Sequence, residues 1–408
     1  MKTLDLKAIQ EFKNNSNKIF FYGLCKFTEY STAGANSIDL KIDGIFDSNI
    51  NTPRLDKNLF PVKIQDELSE ISPDSVFIIT CSHFYSVERH LNLKGFYNIY
   101  DSCVLVNLHL KNSNLSGVEK IMVTRAFKSL SEKKNHITKQ FTNLTIPSLD
   151  LILTEKCTLN CADCANLMPY FKSPKDSDLD IMLSSLNKLT ENIDKLTELR
   201  ILGGEPFIFK KIDLVINQAL LSNKIERIVV YTNGTILPRE HILECLQNPR
   251  ILLEITNYGK LSRNFQRLLD ACESRGIYFI VRELGESWDD SANIDRPSRS
   301  AQEDQFIFEE CCAKYLYTLM HGKLYRCPFS ASLDAIKSVN LKSDNSLIIH
   351  GNLEFTRSEL QKFVYKTSFF DSCKFCQGRS KVLSRVQPAR QAPSTREPFQ
   401  RLPIIQIE

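Results

Sequence analysis

Short apolar runs alternate with longer segments whose apolar residues recur near helical spacing, and the chain does this twice. The first series has runs at 19–25 (IFFYGLC), 44–48 (GIFDS), 76–82 (VFIITCS) and 97–100 (YNIY), separated by polar, helix-compatible stretches. That order predicts a small βαβ arrangement with a parallel sheet. Residues 113–147 read as a polar linker with a helix near 117–134. The second series predicts strands at 149–154, 199–203, 227–231, 251–256 and 277–282, with helices at 177–196, 210–222, 238–247 and 260–275. Successive βα units of this kind make most of a TIM-like barrel. Residues 377–408 hold four prolines, many Arg and Gln and little periodicity, which predicts an extended or disordered tail.

The expected fold class is therefore α/β. A Rossmann-like domain spans 1–112 and the linker 113–147. A partial (βα)6-type TIM-like barrel covers 148–300, and a small β-hairpin plus helix domain covers 301–380. A disordered tail over 381–408 ends the chain.

Composition narrows the function. A chain of 408 residues with 42% apolar and 25% charged residues can bury a large core. A net charge of +4 from 52 basic and 48 acidic residues creates no field that would gather nucleic acid or anionic lipid. The first residues lack the apolar core of a secretory signal and no stretch reaches membrane-spanning length, so a cytoplasmic protein is expected. In that reducing compartment, clustered members of the 13 cysteines read as metal ligands rather than disulfides. Cys25, Cys81, Cys103, Cys245 and Cys272 stand apart from the clusters, in apolar settings, and read as packing residues.

In the first domain, the turn after the first strand (Gly23 to Phe27) lacks two of the three glycines of a dinucleotide fingerprint, although Asp47 stands where a ribose-binding acid would. Docking, partner binding or substrate recognition is the preferred reading there.

Chemistry concentrates at the ends of the barrel strands, where barrel active sites form. Cys157, Cys161 and Cys164 share one loop after the first strand, with no fourth cysteine nearby. Three thiolates can hold three irons of a cubane and leave the fourth open. Zinc is the rival, but a structural zinc site wants four ligands. Gly203, Gly204, Glu205 and Pro206 end the second strand. The glycines permit close backbone approach, and the carboxylate can accept from an ammonium group, although in isolation an ordinary strand-to-helix turn explains such a tetrapeptide more often than not. Thr232 and Asn233 end the third strand, in an Asn-Gly sequence that favours a turn regardless of function. Thr256 lies at the end of the fourth strand, and Arg282, near the end of the fifth, is either a carboxylate clamp or a surface arginine. Further on come Cys311, Cys312, Cys327, Cys373 and Cys376, and YLYTLMHGKLYRCPF between them reads as a hairpin with a glycine turn. Four thiolates there suit either zinc or an iron–sulfur cluster.

Together these motifs resemble the radical S-adenosylmethionine family over about 148–380. The resemblance implies a [4Fe–4S] cluster on Cys157, Cys161 and Cys164 whose open iron chelates the methionine end of S-adenosylmethionine. It makes Gly203–Pro206 the clamp for the methionine amino group, with Glu205 as acceptor, and lines the cofactor with Thr232, Asn233, Thr256 and Arg282. Asp163 stands where the family commonly carries an aromatic residue beside the adenine. The later set, with Cys312, Gly322, Cys327, Cys373 and Cys376, is similar to the twitch form of the SPASM domain and implies one auxiliary iron–sulfur cluster, with Cys312 or Cys311 as its first ligand.

The implied reaction is reductive cleavage of S-adenosylmethionine to methionine and a 5′-deoxyadenosyl radical, then hydrogen abstraction, with a flavodoxin or ferredoxin as electron donor. Twitch-bearing relatives and a first domain resembling those of sugar-modifying enzymes favour a redox change on a sugar, cyclitol or nucleotide-linked metabolite. A peptide substrate is the alternative. A non-catalytic, zinc-stapled binding protein is the reading from another class. Tyr170, Glu283, Trp288 and Asp289 are candidates at the barrel mouth, which 285–310 are expected to cover.

Overall fold

The computed structural model describes residues 1–15, 17–47, 54–55, 61–63, 65–81, 84–112, 114–138, 143–285, 288–352, 355–379 and 385–400. It divides into two units, Met1–Gln140 and Phe141–Glu408. Among the described residues no helix is long and apolar enough to cross a membrane.

In the first unit, α1 (Leu6–Asn14) precedes β1 (Ile19–Tyr22), α2 (Lys26–Asn36), β2 (Gly44–Phe46), β3 (Arg54–Leu55), β4 (Pro61–Lys63), β5 (Val76–Ile79), α3 (Phe84–Leu93), β6 (Ile99–Asp101), α4 (Cys103–Asn112) and α5 (Gly117–Thr138). The sheet order is β3-β4-β2-β1-β5-β6, parallel apart from the β3–β4 pair. The expected βαβ pattern is present. The stretch read as a linker is different: Val123, Ala126 and Leu130 of α5 are buried in the same core as Phe20, Phe46 and Phe77. Its spaced apolar residues cover one face of the sheet, which makes α5 part of the domain.

The glycine turn of this unit is packed shut. Asp47 is buried and accepts from the Leu24 N–H at 2.6 Å, while the Gly23 carbonyl accepts from Thr28 and from Thr80, the latter at 2.8 Å. A side chain at Gly23, where φ is +112°, would meet Cys81 Cβ at 2.6 Å. The groups that would meet a dinucleotide bind one another instead. Of the isolated cysteines, Cys25 is exposed rather than packed.

The second unit opens with β7 (Thr145–Ile152), α6 (Leu179–Glu191), β8 (Lys195–Leu202), α7 (Ile212–Leu221), β9 (Ile225–Thr232), α8 (Glu240–Leu246), β10 (Ile251–Asn257), α9 (Phe265–Arg275) and β11 (Phe279–Glu283). These are the five expected strands and four helices, and β7 to β11 pair in parallel in chain order. The sheet is buried between layers, so Leu149, Leu199, Ile228 and Leu253 are fully covered in one core, as parallel strands require. After these come β12 (Trp288–Asp289), α10 (Ala301–Glu310), β13 (Leu316–Met320), β14 (Lys323–Tyr325), α11 (Pro328–Ile336), β15 (Ser346–Ile348), α12 (Arg357–Val364) and β16 (Arg385–Val386).

Two expectations are corrected here. Among the described residues no strand pairs with β11 on its far side from β10. The sixth parallel strand is β13, and it pairs with the outer edge of β7, giving the order β11-β10-β9-β8-β7-β13-β14-β15. The hairpin expected in a separate small domain therefore extends the barrel sheet, because Tyr317 and Leu319 join the barrel core and cover an edge that β7 would otherwise leave bare. The hairpin turn itself is as expected: His321 (φ +48°) and Gly322 (φ +78°) are both left-handed, and a side chain at Gly322 would meet His350 Cβ at 2.6 Å.

The second correction concerns the tail. Residues 385–400 are ordered: Val386 is buried, β16 pairs with β12, and Arg396 is 4% exposed. Residues 380–384 and 401–408 lie outside the described residues. With few apolar positions to form a periodic pattern, this segment is held by main-chain and side-chain hydrogen bonds that composition does not reveal.

Candidate active site

The loop from Glu155 to Met168 leaves the end of β7 and is fixed from three sides. From the end of β8, Gly204 N–H donates to the Thr154 carbonyl and Glu205 N–H to the Lys156 carbonyl, both at 2.9 Å. The two strand ends are so close that a side chain at Gly203 would lie 2.4 Å from Thr154 O, and one at Gly204 2.2 Å from Lys156 O and 2.7 Å from Cys157 Cβ. Both glycines are thus demanded by the packing of the loop. From the hairpin, His321 Nε2 lies 2.8 Å from Glu155 Oε1. From the tail, Ala162 N–H donates to the Arg390 carbonyl and Ala392 N–H to the Asn160 carbonyl, both at 2.7 Å.

Cys157, Cys161 and Cys164 line one cavity of about 550 Å³ together with Gly203, Gly204 and Asn233. Tyr258, Trp288, Asp289, Ser291, Arg379 and Arg385 line it as well. Burial is the main influence on the thiols, pushing Cys157 up to about 12 and Cys161 up to about 11 and raising Cys164 as well. Three neutral thiols facing one space are a poor nucleophile and a ready ligand set, because a bound metal displaces their protons.

Glu205 is fully buried. It accepts from Thr232 Oγ1 and Asn233 N–H, both at 2.9 Å, and from Phe207 N–H at 3.3 Å. Burial outweighs these bonds and pushes its carboxyl up to about 7. In this structure it ties the ends of β8 and β9 together and does not line the cavity. Pro206, also buried, starts a single helical turn behind it. Asn233 lines the cavity and donates through Nδ2 to Thr158 Oγ1 at 3.1 Å.

Thr256 and Arg282 do not reach the cavity. The residue of that segment that does is Tyr258, edge-on to Trp288 at 6.1 Å, its hydroxyl titration pushed upward by burial and then by the three thiols. Arg282 Nε donates to Glu254 Oε1 at 2.7 Å, and Glu254 is wholly buried. That contact pairs a buried carboxylate on the neighbouring strand, so Arg282 is engaged there and not at the cavity. Of the four candidates at the mouth, Trp288 and Asp289 line the cavity. Tyr170 is buried under Arg396, whose guanidinium lies 4.6 Å from its ring centre, and Glu283 accepts from Asn257 Nδ2 at 3.0 Å.

The second cysteine set surrounds its own small cavity, lined by Cys311, Cys327, Cys373 and Cys376 with Phe308, Phe329 and Phe370. Of the two neighbours, Cys311 lines this cavity and Cys312, the position the spacing favours, does not. Adjacent residues project to different sides of the chain, which motif spacing does not report. Burial raises all four thiols, Cys373 up to about 12, and repulsion from neighbouring thiols adds to it at Cys311, Cys373 and Cys376.

Lys314 and Arg326 line the same space, and Arg379 lies close enough to favour the thiolates of Cys164, Cys311 and Cys327 alike. Arg299, which the sequence did not flag, donates to the Cys373 and Cys376 carbonyls at 2.8 and 2.9 Å while Asp304 holds its Nε at 2.9 Å. Gly378 N–H donates to Cys376 Sγ at 3.2 Å. Among the described residues, no three His, Cys, Asp or Glu side chains converge tightly enough to hold a single metal ion. The thiols of each set line a shared space, the first about 550 Å³ and the second much smaller.

No protein-family model matches the chain. A GTP 3′,8-cyclase from Stenotrophomonas maltophilia (strain R551-3) is 29% identical over 97 residues, 23% of this chain. The match spans 29% of that protein's length. Among solved structures, BtrN in complex with AdoMet and 2-DOIA aligns over 56% of this chain and 92% of that one, at 18% identity and a TM-score of 0.35. SuiB from Streptococcus suis bound to S-adenosylmethionine aligns over 62% and 75%, at 16% identity and a TM-score of 0.33. AnSMEcpe with bound AdoMet and Cp18Cys peptide aligns over 33% and 42%, at 16% identity and a TM-score of 0.28.

Proposed function

We propose that the chain is a cytoplasmic radical S-adenosylmethionine enzyme that carries out a redox change on a sugar, cyclitol or nucleotide-linked metabolite. The observation that carries this reading is the shared cavity: three thiols of one loop line about 550 Å³ together with the Gly203–Gly204 turn and Asn233. A limited sequence likeness to a GTP 3′,8-cyclase is consistent with it.

In this reading Cys157, Cys161 and Cys164 hold a [4Fe–4S] cluster, and the buried thiols and donor groups around them fit one. When bound, the cluster supplies one electron, received from a flavodoxin or ferredoxin, for cleaving S-adenosylmethionine to methionine and a 5′-deoxyadenosyl radical. The protein's own part is to bind, orient and exclude water. The Gly203–Gly204 backbone offers close approach to the cofactor's methionine end, and Asn233 offers an amide beside it. Glu205 holds the β8 and β9 ends in register, so that both segments present main-chain groups to one ligand. Tyr258 and Trp288 wall the cavity with apolar surface.

Cys311, Cys327, Cys373 and Cys376 would hold an auxiliary cluster with no open position, suited to accepting the electron that a substrate radical gives up as it is oxidised. Arg299 fixes the turn of its last two ligands.

The decisive experiment is anaerobic reconstitution with iron and sulfide, followed by dithionite and S-adenosylmethionine, with 5′-deoxyadenosine read by chromatography. Its formation by the wild type and loss in Cys161→Ala supports the reading. Its absence at full iron load refutes it.

A further inference from the structure

We propose that the C-terminal segment completes the cluster loop and that Gln391 is a positioning residue that raises the reduction potential of a cluster on Cys157, Cys161 and Cys164; this rests on the reading of that loop given above. Residues 390–392 run antiparallel to 160–162 with a bridge between Cys161 and Gln391, closed by the two main-chain bonds at 2.7 Å. The segment is pinned on both sides of the bridge. Arg390 Nη2 lies 3.3 Å from Asp163 Oδ2, and buried Arg396 donates to the Ala162 carbonyl at 2.7 Å and to Asn293 Oδ1 at 2.6 Å.

At the centre, the orientation of the Gln391 amide is fixed by its neighbours. Its Oε1 accepts the Asn160 N–H at 2.7 Å, and its Nε2 donates to the Ala389 carbonyl at 2.7 Å. A flipped amide would place a donor against a donor and an acceptor against an acceptor. The remaining N–H of Nε2 therefore faces Cys161 Sγ, at 3.3 Å. A hydrogen bond to a ligating sulfur stabilises the extra negative charge of the reduced cluster more than the oxidised one, and so raises the potential. The donor lies 230 positions along the chain from the sulfur it meets, so it is in place only when the segment is seated. The same contacts account for Asp163: an ion pair with the tail stands where the resemblance would have an aromatic side chain.

Full-length Gln391→Met and Gln391→Glu, reconstituted beside the wild type, test this by redox titration followed by electron paramagnetic resonance, with iron content measured in parallel. Gln391→Met is expected to load like the wild type, yet show about tenfold less reduced cluster at the same poise, a shift of about 59 mV for a one-electron couple. Gln391→Glu keeps the acceptor for Asn160 but replaces the donor with negative charge, and is expected to shift further in the same direction. Should Gln391→Met load poorly, the potential of Gln391→Glu decides alone. Wild-type potentials in the loaded variants overturn the role of Gln391 while leaving the enzyme reading intact. Loss of the cluster from both variants assigns Gln391 to retention and overturns the role in potential. A wild type that loads no cluster overturns the loop reading as well.

Discussion

The two cysteine sets differ in what surrounds them. The loop set offers three thiols to a cavity of about 550 Å³ whose other walls are glycine backbone, an amide, aromatic rings and charged side chains. The C-terminal set offers four thiols to a small space closed by three phenylalanines. One set leaves room beside its ligands and the other fills it. In the function proposed above, that contrast would separate a centre that meets another molecule from one that only exchanges electrons.

The strongest way to break this contrast is to remove one ligand from each set. Cys161→Ala is expected to abolish 5′-deoxyadenosine formation and remove about four irons per chain, while Cys311→Ala removes about four irons and spares cleavage of the cofactor. Iron analysis beside chromatography reads both. Cys312→Ala sharpens the comparison: full iron and full turnover are expected, and an iron loss equal to that of Cys311→Ala would reverse the assignment of the first ligand.

A smaller effect is expected from Arg299→Ala, which frees the turn carrying Cys373 and Cys376. Its auxiliary cluster should be stripped by a chelator about tenfold faster than the wild type's, with the loop cluster unaffected.

A change read in stability rather than in cluster content concerns Glu205. Burial raises its carboxyl from 4.5 to about 7, so the folded apoprotein binds a proton that the unfolded chain has released across that interval. Its contribution is fully present below pH 4.5 and is lost as pH rises toward 7, amounting to up to about 3 kcal/mol. Glu205→Gln should flatten this part of the stability curve, as measured by thermal unfolding of the apoprotein between pH 5 and 7.5. An unchanged slope would mean that the carboxylate is compensated where it stands.

Much of this was legible from the sequence because it is local. The strands from β7 to β11 follow from runs such as LDLILTEK and LRILGG, and the three-cysteine loop and the Gly-Gly turn fall at the ends of adjacent strands because the βα order puts them there. What was not legible is mostly non-local. Nothing in LYTLM says that β13 chooses the free edge of β7 over that of β11. Glu254 gives no sign that it will be buried and will claim Arg282. The tail carries almost no apolar period, and its order comes from main-chain bonds to Asn160 and Ala162 and from the many donors of Arg396. Cys311 and Cys312 are distinguished only by the direction in which helix α10 ends.

The pairing of Glu155 with His321, and of Asn160 and Ala162 with residues 390–392, also sets an order of events during synthesis. A nascent chain that has emerged only through β11 holds its three thiols on a loop lacking two of its three supports. That loop takes its final shape only after residue 396 has left the ribosome, so in the function proposed above cluster insertion would follow the seating of that segment.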